Sequence, residues 1–111
     1  MQHATPWRYQ MKTEVVMPHN EYPIHVRDHV VAKLETLERF FEGTVSVRAV
    51  LERQHSEHRI ELVANVRRGI VLVIDAHADS MSAALDNAIE RMGRVLARHK
   101  DKLKRNIRAR A

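Results

Sequence analysis

Apolar residues recur along this chain with two different periods, and the switches between them mark out the elements. From Met11 to Met17 apolar and polar positions alternate around Thr13 and Val15, and the run stops at Met17-Pro18-His19-Asn20, where Pro18 would break a strand ladder. This predicts a short first strand. From about Ile24 to Glu42 the spacing changes to steps of three and four, so that Val26, Val30, Leu34, Leu37 and Phe41 share one helical face. Pro23 suits the first turn of that helix and Gly43 its C-terminal cap.

After Gly43 the period becomes two. Val45, Val47, Ala49 and Leu51 fall on one face, as do Ile60, Leu62, Ala64 and Val66, then Ile70, Leu72, Ile74 and Ala76. The breaks at Gln54-His55-Ser56-Glu57 and Arg67-Arg68-Gly69 are short and polar, which predicts two hairpins and a three-stranded antiparallel meander. Asp79 or Ser80 then caps a second helix, to about Arg105, whose apolar stripe is Met81, Leu85, Ala88, Ile89, Met92, Val95, Leu96 and Leu103.

Two amphipathic helices and one half-apolar sheet bury all their apolar surface only if both helices lie on the same sheet face. The expected fold is therefore α+β, a two-layer βαβββα sandwich with a four-stranded sheet and both helices on one face, as in double-stranded-RNA-binding domains. At 111 residues there is one core. Residues 1–10 read as an N-terminal extension, 11–105 as the domain and 106–111 as a basic tail.

Charge changes the picture from a fold to a function. Arg98 to Ala111 holds seven Lys or Arg against one acid, Asp101, which is more positive charge than the whole chain's formal +5. On the second helix Arg91, Arg94, Arg98, Lys102 and Arg105 follow one another by 3, 4, 4 and 3 residues. At ~100° per residue they lie within roughly 80° of arc, a basic ridge on the shoulder of the apolar stripe. Arg27 and Lys33 flank the first helix's stripe, so a groove between the helices is a candidate track for a phosphate backbone. A solvated face or a helix-dipole complement needs one or two such residues, whereas phosphate binding uses a cluster.

Other chemistries find little support. With no cysteine there is neither disulfide nor thiolate chemistry, which fits a reducing cytoplasm. The longest apolar stretch, Ile70 to Ile74, is far short of the ~20 residues of a spanning helix, and the first nine residues lack a signal-peptide core. His25 with His29, and His55 with His58, lack a third ligand, so no metal is expected. Glu35, Glu38, Glu52, Glu57 and Glu61 fall on predicted solvent faces or turns without a nucleophile partner, and three glycines cannot build a nucleotide-binding loop. Neither an enzyme, a cofactor nor a small-molecule substrate is expected. Asp101 is expected to pair with a neighbouring cation. His99 falls on the apolar stripe, to orient the helix end, with RNA contact second. Trp7 is left as a stacking or strand-edge residue.

The second helix also resembles a known family. His99-Lys100-Asp101-Lys102-Leu103-Lys104, preceded by Met81-Ser82-Ala83-Ala84-Leu85-Asp86, is similar to the ribosome hibernation promoting factors, also called ribosome-associated inhibitors or sigma-54 modulation proteins. Arg27-Asp28-His29-Val30-Val31-Ala32-Lys33-Leu34 and Leu37-Glu38-Arg39-Phe40-Phe41 look like that family's first helix, and the likeness covers about Met11 to Lys104. Departures are Ser82, often aromatic in the family, and Pro18-His19-Asn20, where Gly is common. The resemblance implies a domain bound to the small ribosomal subunit in the channel of messenger RNA and the A- and P-site transfer RNAs, inhibiting translation under stress or in stationary phase. The matching contacts to ribosomal RNA are Arg27, Lys33, Arg91, Arg94, Arg98, Lys100, Lys102 and Lys104, to which the ridge adds Arg105 and the stripe His99. The chain looks like the family's short form, expected not to pair ribosomes alone, with a separate ribosome-dimerising factor as candidate second partner. Two alternatives stay open: a general double-stranded-RNA-binding module, although such modules carry lysines at the start of the last helix, and a protein-interaction adaptor, for instance for a sigma factor.

Overall fold

A computed structural model of the chain describes residues 10–19 and 22–110. The elements are β1 Lys12–Val16, α1 Ile24–Glu35, a 3-10 turn Thr36–Phe40, β2 Thr44–Gln54, β3 Glu57–Val66, β4 Ile70–Ala78 and α2 Met81–Arg110. The strands form one sheet in the order β1-β2-β3-β4, β1 running parallel to β2 and the other neighbours antiparallel. A parallel pair needs a long crossover, and α1 with its following turn supplies it.

The register explains the period of two. Val15 lies opposite Ala49, Ala49 opposite Leu62 and Leu62 opposite Ile74, a row across all four strands, and Leu51, Ile60 and Ala76 form the row beside it. All seven are buried. Val30, Leu34, Leu37 and Phe41 from the first helical segment, and Ala84, Leu85, Ala88, Met92 and Leu96 from α2, close over these rows as one cluster. With a single apolar sheet face to cover, both helices share it, which makes the two-layer α+β sandwich.

Four local departures from the sequence pattern have physical causes. The α-helical ladder of α1 ends at Glu35 rather than continuing to Glu42, because the Thr36 hydroxyl donates to the Lys33 carbonyl at 2.6 Å and the chain tightens into the 3-10 turn. That turn keeps Leu37 and Phe41 in the core and points Phe40 at α2. Gly43 is not a helix cap: it is buried, and a β-carbon there would collide with the Phe41 ring and the Arg67 guanidinium. A register shift between Thr44 and Ser46 puts Thr44 rather than Val45 in the core, where its hydroxyl donates to the Phe41 carbonyl at 2.7 Å. Ile70, at the start of the edge strand β4, is 39% exposed.

The Ser80 hydroxyl accepts the Ala83 amide at 3.1 Å and caps α2, as its sequence suggested. The helix then runs past Arg105 to Arg110, since nothing after Gly93 interrupts it. Its 30 residues span about 45 Å. The last fully buried side chain is Leu96, Leu103 is half-buried, and every side chain from Lys104 to Arg108 is exposed. The helix thus overhangs the sheet.

Two arginines tie the helices to the edge strands. Arg27 of α1 donates to the Val15 carbonyl at 2.9 Å, and Arg91 of α2 donates to the Asp75 carbonyl at 2.6 Å. Charged donors on backbone carbonyls are among the stronger hydrogen bonds. Arg91→Met should therefore lower stability by about 1 kcal/mol with helix content unchanged. Met92→Ala, which empties a fully buried site, should cost about 2–5 kcal/mol. Urea titrations followed by circular dichroism measure both.

Candidate nucleic-acid interface

The cations expected to meet RNA divide according to what already holds them. Arg27 and Arg91 are half-buried with a guanidinium N–H on a strand carbonyl. Lys33 lies 3.8 Å from Asp86, and Arg94 lies 3.7 Å from Glu90 one turn earlier on α2. From Arg98 onward the pattern changes: Arg98, Lys102, Lys104, Arg105 and Arg108 are exposed and Lys100 is half-buried. None of these six has a side-chain hydrogen bond or ion pair among the described residues. A phosphate meeting them displaces only water and counterions, whereas a cation already on a carbonyl must also give up a bond. Asp101, expected to pair with one of its neighbours, makes no ion pair among the described residues. It is exposed, where pairing contributes little.

The groove between the helices exists, but it is not basic on both sides. It is a depression open to solvent, of about 490 Å³, between Lys33, Arg39 and Phe40 on one wall and Asp86, Ile89, Glu90, Gly93, Arg94 and Ala97 on the other. Its two carboxylates face its three cations. Of the ridge residues only Arg94 lines it, and Arg91 on the far shoulder of α2 reaches β4. Ridge and groove are therefore two surfaces that meet at Arg94. Arg39 and Phe40 entered the sequence reading only as part of the family-like run and not as site residues, because an uninterrupted α-helical period points Phe40 away from the core. The signal was present on the partner helix: Gly93 and Ala97, small residues one turn apart, mark a close approach.

His99 is half-buried on the stripe side of α2. Its ring meets Phe41 edge-on, with centroids 5.4 Å apart. The same Phe41 ring lies 5.9 Å from the Arg67 guanidinium carbon, so the exposed Arg67 and Arg68 of the β3–β4 turn stand at the end of the domain from which α2 overhangs. Arg67 is a second residue missed from the sequence, where the turn read only as a polar break.

The uncovered face of the sheet has the opposite character. Arg59 donates to Glu52 at 2.6 Å and to Asp75 at 3.0 Å, with Glu61 at 3.8 Å. Hydrogen bonds to Asp75 and then to Glu52 push its pKa above the usual arginine value. Glu52 and Glu61 are thus half-buried ion-pair partners rather than plain solvent-face residues. Beyond this cluster the face is mixed: Glu14, Arg48, Val63 and Val73 lie in register across it, with Arg48 exposed and Val71 and Val73 about half exposed. No described helix is long and apolar enough to cross a membrane. The N-terminal extension through Tyr9, with Trp7, lies outside the described residues.

The comparisons with known proteins agree on one family. The model of the Sigma 54 modulation protein / S30EA ribosomal protein family matches residues 13–104. A ribosome hibernation promoting factor of Escherichia coli strain K12 is 33% identical over 81 residues, covering 73% of this chain and 84% of that protein. One of Pseudomonas putida is 27% identical over 92 residues, covering 83% and 89%. The fold is that of the N-terminal domain of Thermus thermophilus Protein Y, with a TM-score of 0.68 at 23% identity over 78% of this chain and 94% of that one. It is also that of a ribosomal subunit interface protein from Coxiella burnetii, with a TM-score of 0.74 at 12% identity over 82% and 99%. The overhanging, cation-bearing α2 and the four-stranded sheet that holds it thus belong to a member of the Sigma 54 modulation protein / S30EA ribosomal protein family.

Proposed function

We propose that this chain is a cytoplasmic ribosome hibernation factor: it binds the small ribosomal subunit in the decoding channel, at the positions of messenger RNA and of the A- and P-site transfer RNAs, and inhibits translation under stress or in stationary phase. The observation that carries the reading is the run of unpartnered cations along α2 from Arg98 to Arg108, held clear of the sheet on a helix whose other face is locked in the core. A rigid rod bearing cations is suited to a narrow channel walled by phosphates, because its side chains meet phosphate without first ordering a loop. The acidic cluster around Arg59 on the opposite face disfavours RNA there, which supports the α2 side as the one that meets the ribosome. Arg98, Lys100, Lys102, Lys104 and Arg105 grip the RNA directly. Arg94 joins them by releasing Glu90, His99 sets the angle of the rod, and Arg27, Lys33 and Arg91 contact RNA with the donors their own partners leave free.

Charge reversal of Arg98, Lys102 and Arg105 together to Glu should abolish co-sedimentation with isolated small subunits while the circular dichroism spectrum stays that of the parent. Undiminished pelleting would contradict the reading.

With about six phosphate contacts, the logarithm of the association constant should fall with the logarithm of salt concentration at a slope of roughly −4 to −5. A slope near zero would favour the protein-adaptor alternative, and equal affinity for plain duplex RNA the double-stranded-RNA module.

A further inference from the structure

We propose that the groove between the 3-10 turn and α2 is a binding site for a single guanine nucleotide. Its volume, about 490 Å³, falls in the roughly 300–1,000 Å³ range of small-ligand sites. Its lining brings together what a nucleotide needs: an aromatic ring at its floor, and three cations and two carboxylates around its mouth.

The floor is built around Phe40. Gly93 has no side chain where a β-carbon would lie 2.9–3.2 Å from the Phe40 ring carbons, so the ring settles directly on the α2 backbone. Glycine in a helix interior costs about 1 kcal/mol relative to alanine. At this position the missing side chain sets the depth of the groove. The Arg39 guanidinium lies over the Phe40 ring, 4.9 Å from its centroid. A guanidinium stacked in this way offers its outer plane to a nucleobase, a common mode of RNA-base recognition.

The carboxylates choose the base. Asp86 and Glu90, one turn apart on α2, line the groove and accept hydrogen bonds only. Guanine alone among the RNA bases presents two adjacent donors, N1–H and N2–H, spaced for the two oxygens of one carboxylate. The partners these acids now have are loosely held: Lys33 at 3.8 Å from Asp86 and Arg94 at 3.7 Å from Glu90, with all four side chains more than 40% exposed. Such pairs contribute little. Lys33 and Arg94 can turn to a phosphate while the acids turn to the base.

The nucleotide has two possible sources, a single-stranded guanosine of the RNA bound along α2 or a free guanine nucleotide. Only the first source rests on the proposed ribosome binding.

Titration of the full ¹⁵N-labelled chain with guanosine monophosphate, adenosine monophosphate and inorganic phosphate tests the site. Saturable shifts at Ile89, Gly93 and Ala97 are expected with guanosine monophosphate, roughly tenfold tighter than with adenosine monophosphate, while phosphate moves only the rim. Gly93→Leu should push the Phe40 ring off α2, break up the floor and remove the response. Should that variant fail to fold, Asp86→Asn with Glu90→Gln keeps the shape and should erase the preference for guanine. No saturable shift up to about 10 mM, or an equal response to both nucleotides, would overturn the proposal. Adding saturating guanosine monophosphate to the small-subunit pelleting assay separates the sources: competition identifies an RNA guanosine, and undisturbed pelleting a free nucleotide. A chain that binds guanosine monophosphate but never pellets with small subunits would refute the ribosome reading and leave this site standing.

Discussion

The mismatch in length between α2 and the sheet beneath it governs the rest of the molecule. The sheet has one face packed against the helices, and the α2 stripe covers its share of it from Met81 to Leu96. Burial of that stretch anchors the helix, and hydrogen bonding along its axis carries the order outward past Leu103 into water. Without the anchored half, so cationic and exposed a segment would gain little from forming a helix alone. The core thereby holds in place a set of charges that it does not itself touch.

Partners already present in the fold sort the cations into two groups. Those level with the sheet, Arg27 and Arg91, join helix to edge strand, and Lys33 and Arg94 stand beside carboxylates. Those beyond it, from Arg98 to Arg108, carry no hydrogen bond or ion pair among the described residues and, Lys100 apart, are exposed. The same sorting gives the domain two unlike sides. One carries the cationic rod, with Arg67 and Arg68 at its base. The other carries Arg59 among Glu52, Glu61 and Asp75. In the proposed complex, like-charge repulsion from phosphate would act against the second face just as attraction would act for the first, so one charge distribution would set both affinity and orientation.

Much of this was legible in the sequence because it is written in periods. Rows such as Val15, Ala49, Leu62 and Ile74 obey the alternation of strands, and Arg98, Lys102 and Arg105 obey the helical step, so faces could be assigned without coordinates. What stayed hidden depends on contacts between elements. The Thr36 hydroxyl that tightens the chain, the bulge that exchanges Thr44 for Val45, and the carbonyls taken by Arg27 and Arg91 leave no periodic trace. The groove was expected, but its lining by Arg39 and Phe40 was hidden for the same reason, since Phe40 reaches Gly93 only after the 3-10 turn has rotated it. The extent of α2 was underestimated because a run of cations reads as a tail, whereas Lys and Arg are good helix formers once the preceding turns are fixed.

Directed cleavage of ribosomal RNA is the most direct measurement. The chain has no cysteine, so an iron chelate tethered at Lys102→Cys or at Val73→Cys reports from one side of the domain at a time. Bound to small subunits, the first should cut the RNA lining the decoding channel and the second should leave it intact. Equal cutting from both positions, or cutting from Val73→Cys alone, would contradict the placement of the α2 rod against ribosomal RNA.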